Sequence, residues 1–385
     1  MNYNIGYVSP SSIPSYSANS VHVVMQCVAL LNQGVELSLF ANRSLKDKEN
    51  LNKKITDTYG FDLSNVNLVT FHARIHKFLN LRIAIYAFFK LLLGEMPEKV
   101  ISRNLYYSFF HAIVLRKPLV FETHQIEYGF RKGLQKLIMT RSWVKTIVIS
   151  KKLEEILAEE HGVYPYQTTV LPDAAPDGLL PAEALNRTEK LFSVTSLPKG
   201  NWSKVCGYFG QLYEGRGIEI IEDMALNRPD ILFLVYGGEP SDVSRCREKN
   251  SDLPNIFFGG HVSHPEVQQL MRCVDFLLMP YQAKVSIGVS GHDTGRWMSP
   301  MKMFEYMAAG VPIISSDLPA LREILTNGKN ALLVSPSEPK RWCEALDLLI
   351  NEAGLSESIG TQAHLDYRQK YTWGIRAQAI LSLFD

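Results

Sequence analysis

Short apolar runs alternate with helix-length segments along the whole chain. Residues 5–8, 36–40, 67–70, 100–102, 119–122, 146–149 and 169–171 read as strands, each followed by a stretch with helical spacing of its apolar positions. Such alternation predicts a parallel sheet covered by helices on both faces. Residues 174–201 are rich in Pro, Ala, Leu and Lys, hold no period, and read as an irregular crossover. Alternation restarts with 205–209, 231–236, 256–258, 276–279, 312–315 and 331–334, which predicts a second doubly wound sheet. The expected fold class is therefore α/β, with two Rossmann-like domains at 1–190 and 191–370 and a tail at 371–385 that turns helical near Trp373. Ligands of such sheets bind beyond the carboxyl ends of the strands, so the expected site is a cleft between facing domains.

The most informative stretch is Ser299-Pro-Met-Lys-Met-Phe-Glu-Tyr-Met-Ala-Ala-Gly-Val-Pro. Pro300 fits a first helical position, and Gly310 with Pro312 is a helix stop. Met301, Phe304 and Ala308 recur as a core stripe, while Lys302, Glu305 and Tyr306 share another face. A cation just inside a helix N-terminus sits where free N–H groups and the positive dipole end attract phosphate. A carboxylate one turn deeper can accept hydrogen bonds from a ribose diol. The shape suits a nucleotide diphosphate; an exposed Lys–Glu pair on a surface helix is the plain alternative.

Other stretches gather at the same expected rim. Gly207-Tyr-Phe-Gly-Gln-Leu-Tyr-Glu-Gly-Arg-Gly runs from strand to helix through Gly210, Gly215 and Gly217, with Arg216 at the helix mouth. It reads as a pyrophosphate clamp or as a tight turn. Gly237 and Gly238 close one strand, Gly260, His261 and Val262 another, and both fit a nucleoside pocket. His264, between Ser263 and Pro265, reads as helix-start chemistry. In the first domain the run from Ser9 to Ser20 offers small polar side chains, Ser17 and Asn19 among them, that could meet an acceptor or form a polar turn. His22, in the helix that follows, reads as structural. Glu122-Thr-His-Gln ends the fifth strand, so His124 faces the proposed cleft and Glu122 orients it or binds acceptor. The loop from Ser290 offers Asp293, Thr294 and Arg296.

The totals narrow the partners. The chain has 385 residues, 46% hydrophobic and 21% charged, with a net charge of +1, which argues against nucleic acid as the main partner. Five cysteines stand singly, without the spacing of zinc or redox pairs, as in a reducing cytoplasm. Met1 leads directly into a strand, so no signal peptide is expected. The apolar run 78–93 contains Arg82 and Lys90 and falls short of the roughly 20 residues a spanning helix needs. Arg74, Lys77, Arg82 and Lys90 interleave there with Phe78, Leu79, Tyr86, Phe88 and Phe89, and Arg131, Lys132, Lys136, Arg141 and Lys145 crowd a later helix. Either run reads as peripheral contact with an anionic membrane or as a solvated face over ordinary core. Asp173, Asp177 and Asp293 lack ligand spacing, so neither a metal nor a cofactor is expected.

The segment Lys302-Met-Phe-Glu-Tyr-Met-Ala-Ala-Gly-Val-Pro-Ile-Ile-Ser-Ser-Asp resembles the donor-nucleotide segment of retaining GT-B glycosyltransferases, in particular glycosyltransferase family 4, also called glycosyl transferases group 1. The resemblance implies a GT-B fold and metal-independent hexosyl transfer, with retention, from a nucleotide-diphosphate sugar to a glycan or lipid-linked hydroxyl, as in polysaccharide biosynthesis. It implies that Glu305 binds the ribose hydroxyls, that Arg216 and Lys302 stabilise the leaving diphosphate, and that His124 lies near the donor sugar. The donor would also meet Gly210, Gln211, Gly237, Gly238, Trp297, Ser299, Met301 and Tyr306, with the backbone from Gly260 through His261 to Val262 against the base. Two positions depart from the family. Gln211 stands where a cation is common and Trp297 where a Glu is common, eight residues before Glu305. An epimerase-like enzyme of the same fold would turn over donor without acceptor, and a non-catalytic binding protein would release no nucleotide.

Overall fold

The computed structural model describes residues 3–46, 49–73, 78–94, 97, 99–162, 168–182, 191, 197, 201–285 and 293–385. Arg74, Lys77 and the glycine-containing loop at 290–292 lie outside them. The chain divides into two compact units, Met1–Asp173 with Trp373–Asp385, and Ala174–Thr372.

In the first unit β1 (Asn4–Ile13), β2 (Glu36–Arg43), β3 (Asn67–Phe71), β4 (Lys99–Ser102), β5 (Leu119–Thr123), β6 (Val144–Val148) and β7 (Thr168–Val170) form one parallel sheet in the order β3-β2-β1-β4-β5-β6-β7. In the second, β8 (Lys204–Phe209), β9 (Ile231–Tyr236), β10 (Ile256–Gly260), β11 (Phe276–Met279), β12 (Ile313–Ser316) and β13 (Leu332–Val334) follow the order β10-β9-β8-β11-β12-β13. Counted from β8 this is 3-2-1-4-5-6, the doubly wound order, and the winding reverses between β8 and β11. The strands are continuous apolar runs because helices cover both faces: every residue of β5, β9 and β11 is buried. On one side of the second sheet Val205, Phe209 and Leu277 pack with Phe304 and Met307. On the other, Tyr208, Phe233 and Leu278 pack with Ile221 and Trp342.

Three expectations shift. The boundary near residue 190 moves to 173/174, since the Ala175 N–H donates to the Tyr371 carbonyl at 3.0 Å and the Ala182 N–H to that of Ala309 at 2.7 Å, which ties the crossover to the second unit. The first strand runs on to Ile13 rather than ending at Val8, with a register shift between Val8 and Ser12. Its hydroxyls turn inward, where the buried Ser9 and Ser11 hydrogen-bond each other at 2.9 Å. Pro300 is the N-cap of the helix Met301–Ala309 rather than its first residue, with extended φ of −76° and ψ of 122°. The tail helix, Trp373–Ser382, packs on the helix Ala18–Asn32 within the first unit. Among the described residues, no helix is long and apolar enough to cross a membrane.

The turn after β8 depends on one glycine. Gly217, at φ +78°, caps the helix Ile218–Asn227, and a Cβ there would lie 1.6 Å from the Pro280 carbonyl oxygen at the end of β11. Gly217→Ala is expected to destabilise the protein by more than about 2 kcal/mol, combining left-handed strain with a backbone collision. Chemical denaturation checks this, and an unchanged midpoint would show that the two loops separate freely.

Candidate active site

The second unit brings its candidate residues to the point where the strand order reverses. Glycines let three strand tips interlock there. The Gly210 N–H donates to the Tyr236 carbonyl at 2.9 Å and the Gly237 N–H to that of Gly260 at 2.7 Å. A Cβ at Gly237 would come within 2.2 Å of the Gly210 oxygen. Beside this stitched edge the Lys302 ammonium lies 4.0 Å from the ring centre of Tyr208, on β8, and 4.5 Å from that of Tyr281, just past β11. Arg216 donates from Nη1 to the Tyr281 hydroxyl at 3.1 Å, with its guanidinium carbon 5.3 Å from the same ring centre. Each contact with an aromatic face is worth about 0.5–2 kcal/mol, depending on desolvation. Burial first, and then the neighbouring Arg216, hold the Lys302 amine well below the usual lysine range. Two cations brought together at the mouth of a helix define a place for a polyanion.

Gln211 follows Gly210 with its backbone carbonyl accepting from the Tyr208 hydroxyl at 2.6 Å. Its side-chain oxygen is buried with no hydrogen-bond partner among the described residues. Glu305 lies one turn into the helix from Lys302, half-buried, and its Oε1 accepts from His264 Nε2 at 2.7 Å. Burial would lower the His264 pKa, but Glu305 outweighs it and raises it above the ordinary value. Tyr306, four positions after Lys302, lies deeper than Lys302 and Glu305. It is wholly buried, and its hydroxyl accepts from the Phe209 N–H at 2.8 Å, fastening the helix to the end of β8. Its expected donor contact is thus replaced by a packing role. Trp297 and Ser299 are also buried, while Met301 is half-buried at the first helical position. Gly238 is buried against Leu212, His261 is exposed, and the half-buried Val262 packs against the core.

The first unit holds a buried charge network. Glu122, with no exposed side-chain surface, lies 2.7 Å from His124 Nε2, 3.0 Å from His22 Nε2 and 2.8 Å from Arg376 Nη2, all at its Oε1, and accepts from Gln26 Nε2 at 3.2 Å through Oε2. Burial alone would raise the Glu122 pKa, but Arg376 and then His22 hold it well below the carboxylate range. The expected acceptor contact of Glu122 is not available to a carboxylate so enclosed; it orients His124 instead. Arg103, just after β4, donates to His124 Nδ1 at 3.1 Å, which leaves the ring's proton on Nε2 facing Glu122. Burial, then Arg103, push His124 down to about 4. His22 is buried and its Nδ1 lies 2.8 Å from Asp173. Ser17 does not present a free hydroxyl to an acceptor: its oxygen caps the helix Ala18–Asn32, accepting from the Ser20 N–H at 3.3 Å, and half-buried Asn19 follows in the first turn. His22, Glu122 and His124 also bring metal-type ligand atoms within 4.8 Å of one another, a grouping that the spacing of the aspartates did not suggest. The guanidinium of Arg376 on the shared Glu122 oxygen is a poor neighbour for a second cation.

Residues 203–352 match the family pattern of glycosyl transferases group 1. The chain is 23% identical over 201 residues to the D-inositol 3-phosphate glycosyltransferase of Jonesia denitrificans, a match covering 49% of this chain and 43% of that protein. It is 24% identical over 290 residues to the uncharacterized glycosyltransferase MJ1607 of Methanocaldococcus jannaschii, covering 70% of each. The chain spans less than half the length of the first curated relatives it matches. Sucrose-phosphate synthase of Thermosynechococcus elongatus superposes with a TM-score of 0.74 at 15% identity, over 100% of this chain and 98% of that one. HepE of Anabaena, in complex with UDP and glucose, superposes with a TM-score of 0.72 at 15% identity, over 100% and 99%. At such identity the likeness shows the fold, two Rossmann-like units in one chain, the GT-B class.

Tyr208, Tyr281, Arg103, Arg376 and the pairing of His264 with Glu305 had no signal in the sequence, because each acts across strands or helices far apart in the chain. The His124 shift carries a consequence for stability. Below pH about 6.5 an unfolded chain takes up a proton at this histidine that the folded chain refuses until about pH 4, so stability falls as pH drops through that window. His111, also held near 4 by burial, adds to the effect. Urea midpoints at pH about 4.5 and 6.5 should therefore differ, and His124→Gln should narrow the gap without closing it. An undiminished gap would contradict the assignment.

Proposed function

We propose that this protein is a retaining, metal-independent glycosyltransferase that moves a hexose from a nucleotide-diphosphate sugar to a hydroxyl of a glycan or lipid-linked acceptor. The observation that carries the reading is the pair of cations, Lys302 and Arg216, held against Tyr281 at the reversal of the second sheet, with Glu305 one turn deeper on the helix of Lys302. A diphosphate placed there would meet both cations and the helix N-terminus, and its ribose would reach Glu305. As the glycosidic bond to the donor breaks, negative charge grows on the leaving diphosphate, and fixed cations in a partly desolvated setting stabilise it more than water does. The family match of residues 203–352 supports a nucleotide-sugar donor. In the first unit His124, neutral and with its proton directed to Glu122, is not set up as a general base.

The acceptor side rests on a second observation. The helix Leu79–Leu92 exposes Ile85, Phe89 and Leu92 along one stripe, with Arg82 beside it, and the helix Gly129–Met139 exposes Phe130, preceded by Tyr128, near Lys132 and Lys136. Exposed aromatics among lysines and arginines suit peripheral contact with an anionic membrane on the cytoplasmic face, where a lipid-linked acceptor would lie.

Lys302→Ala is expected to lower kcat by about a hundredfold, the usual cost of removing one stabilising group from a developing anion. Glu305→Ala should act chiefly on the donor KM. Steady-state assay with a panel of UDP- and GDP-sugars measures both, and wild-type rates in both variants would sink the assignment. Donor turnover without acceptor would favour the epimerase-like reading. Paired Phe89→Asp and Phe130→Asp substitutions should abolish cosedimentation with phosphatidylglycerol vesicles at low salt, and retained binding would remove the membrane contact.

A further inference from the structure

His264 and Glu305 stand 41 positions apart in the chain, on different helices, yet meet at 2.7 Å. The helix His264–Met271 is started without help from the histidine. Ser263 is its N-cap, and the Glu266 carboxylate accepts from both the Ser263 N–H (2.9 Å) and the Ser263 hydroxyl (2.6 Å). His264 is thus released from capping and turns toward the helix Met301–Ala309. Gln268, one turn on, approaches its Nδ1 at 3.3 Å, so the ring is held at both nitrogens. The pair is shielded, with side-chain exposures of 16% for His264 and 13% for Glu305. Among the described residues the second carboxylate oxygen of Glu305 has no hydrogen-bond partner.

We infer that His264 is a positioning residue for the nucleotide ribose, fixing Glu305 through one carboxylate oxygen so that the other is presented to the 2′- and 3′-hydroxyls. This rests on the donor reading of Glu305 given above and adds a residue to it. A free glutamate on a helix has several rotamers and would lose that freedom on binding, whereas a carboxylate already held by a charge-assisted bond meets the diol in place. The histidine also offsets the negative charge of Glu305 close to where a diphosphate would sit. Among the described residues, Lys302 and Tyr306 on the helix of Glu305 interact with its carboxylate, with Arg216 beyond Lys302; Glu266 follows on the helix of His264, engaged with Ser263, and His261 precedes it in sequence. Burial also holds the Lys302 amine below the usual lysine range, so a pH profile of total affinity would mix two groups. A ratio of ribose to deoxyribose affinity cancels the diphosphate contribution.

The test measures binding by calorimetry of UDP, GDP and ADP, each against its 2′-deoxy counterpart, to the wild-type protein, His264→Ala and His264→Gln. For whichever base binds, the wild type should prefer the ribonucleotide by about tenfold, the worth of one hydrogen bond to a charged group. His264→Ala should reduce that preference to about twofold or less, while His264→Gln, which keeps an N–H donor at similar reach, should retain it. An unchanged preference in His264→Ala overturns the inference and leaves the donor reading standing. Equal weakening of ribo- and deoxyribonucleotides in His264→Ala also overturns it, since that would mark a merely structural residue. If the wild type binds none of these nucleotides, the donor reading fails and the inference with it.

Discussion

Two like charges share one aromatic ring in this protein, and much of the second unit is arranged to make that tolerable. Lys302 reaches Tyr281 from the start of a helix and Arg216 reaches it from the turn after β8. Neither cation is fully hydrated there, and each raises the cost of the other. The ring faces of Tyr208 and Tyr281 offset part of that cost through their negative quadrupole. The remainder is a standing preference for an anion, and it can persist only where the surrounding backbone does not yield. The interlocked tips of β8, β9 and β10, the Tyr306 hydroxyl on Phe209 and the close passage of Gly217 beneath Pro280 supply that rigidity.

The first unit solves the opposite problem, a carboxylate in the core. Glu122 would be neutral in an apolar interior, and the tail helix prevents this by delivering Arg376 to the same oxygen that His22 and His124 approach. Arg376 also donates to the Pro172 carbonyl at 3.0 Å, just before the chain leaves the unit. The last helix is therefore part of the first unit's electrostatics as well as of its packing. Removing Arg376 would leave a buried charge short of its strongest partner, which is far costlier than never having placed the pair there.

The same logic links both sites. Each depends on a polar group whose partner lies on another element: His264 for Glu305, Arg103 for His124, Tyr281 for Arg216. Such partners hold side chains in one geometry, and a binding site gains from that because less order has to be imposed when the ligand arrives. Gln211 is the exception. Its amide oxygen is buried without a partner among the described residues.

The chain's own pattern was enough to establish the alternation of strands and helices, two parallel sheets, the helix that carries Lys302 and Glu305, and the glycine turn that carries Arg216. These are local properties, since period and turn chemistry are set by residues within a few positions of one another. Errors arose where a local reading met a choice that only packing makes. Tyr306 is three to four positions from helix-mates of both kinds, and the core claimed it; the serines after Val8 looked like a loop, and pairing with β2 kept them in a strand. Glu122 looked available to an acceptor until the last helix brought Arg376 onto it from 254 positions away. Which charges meet, which histidine holds which carboxylate, and which strand tips interlock were decided by the tertiary structure, because contacts between distant parts of the chain leave no periodic trace in either partner.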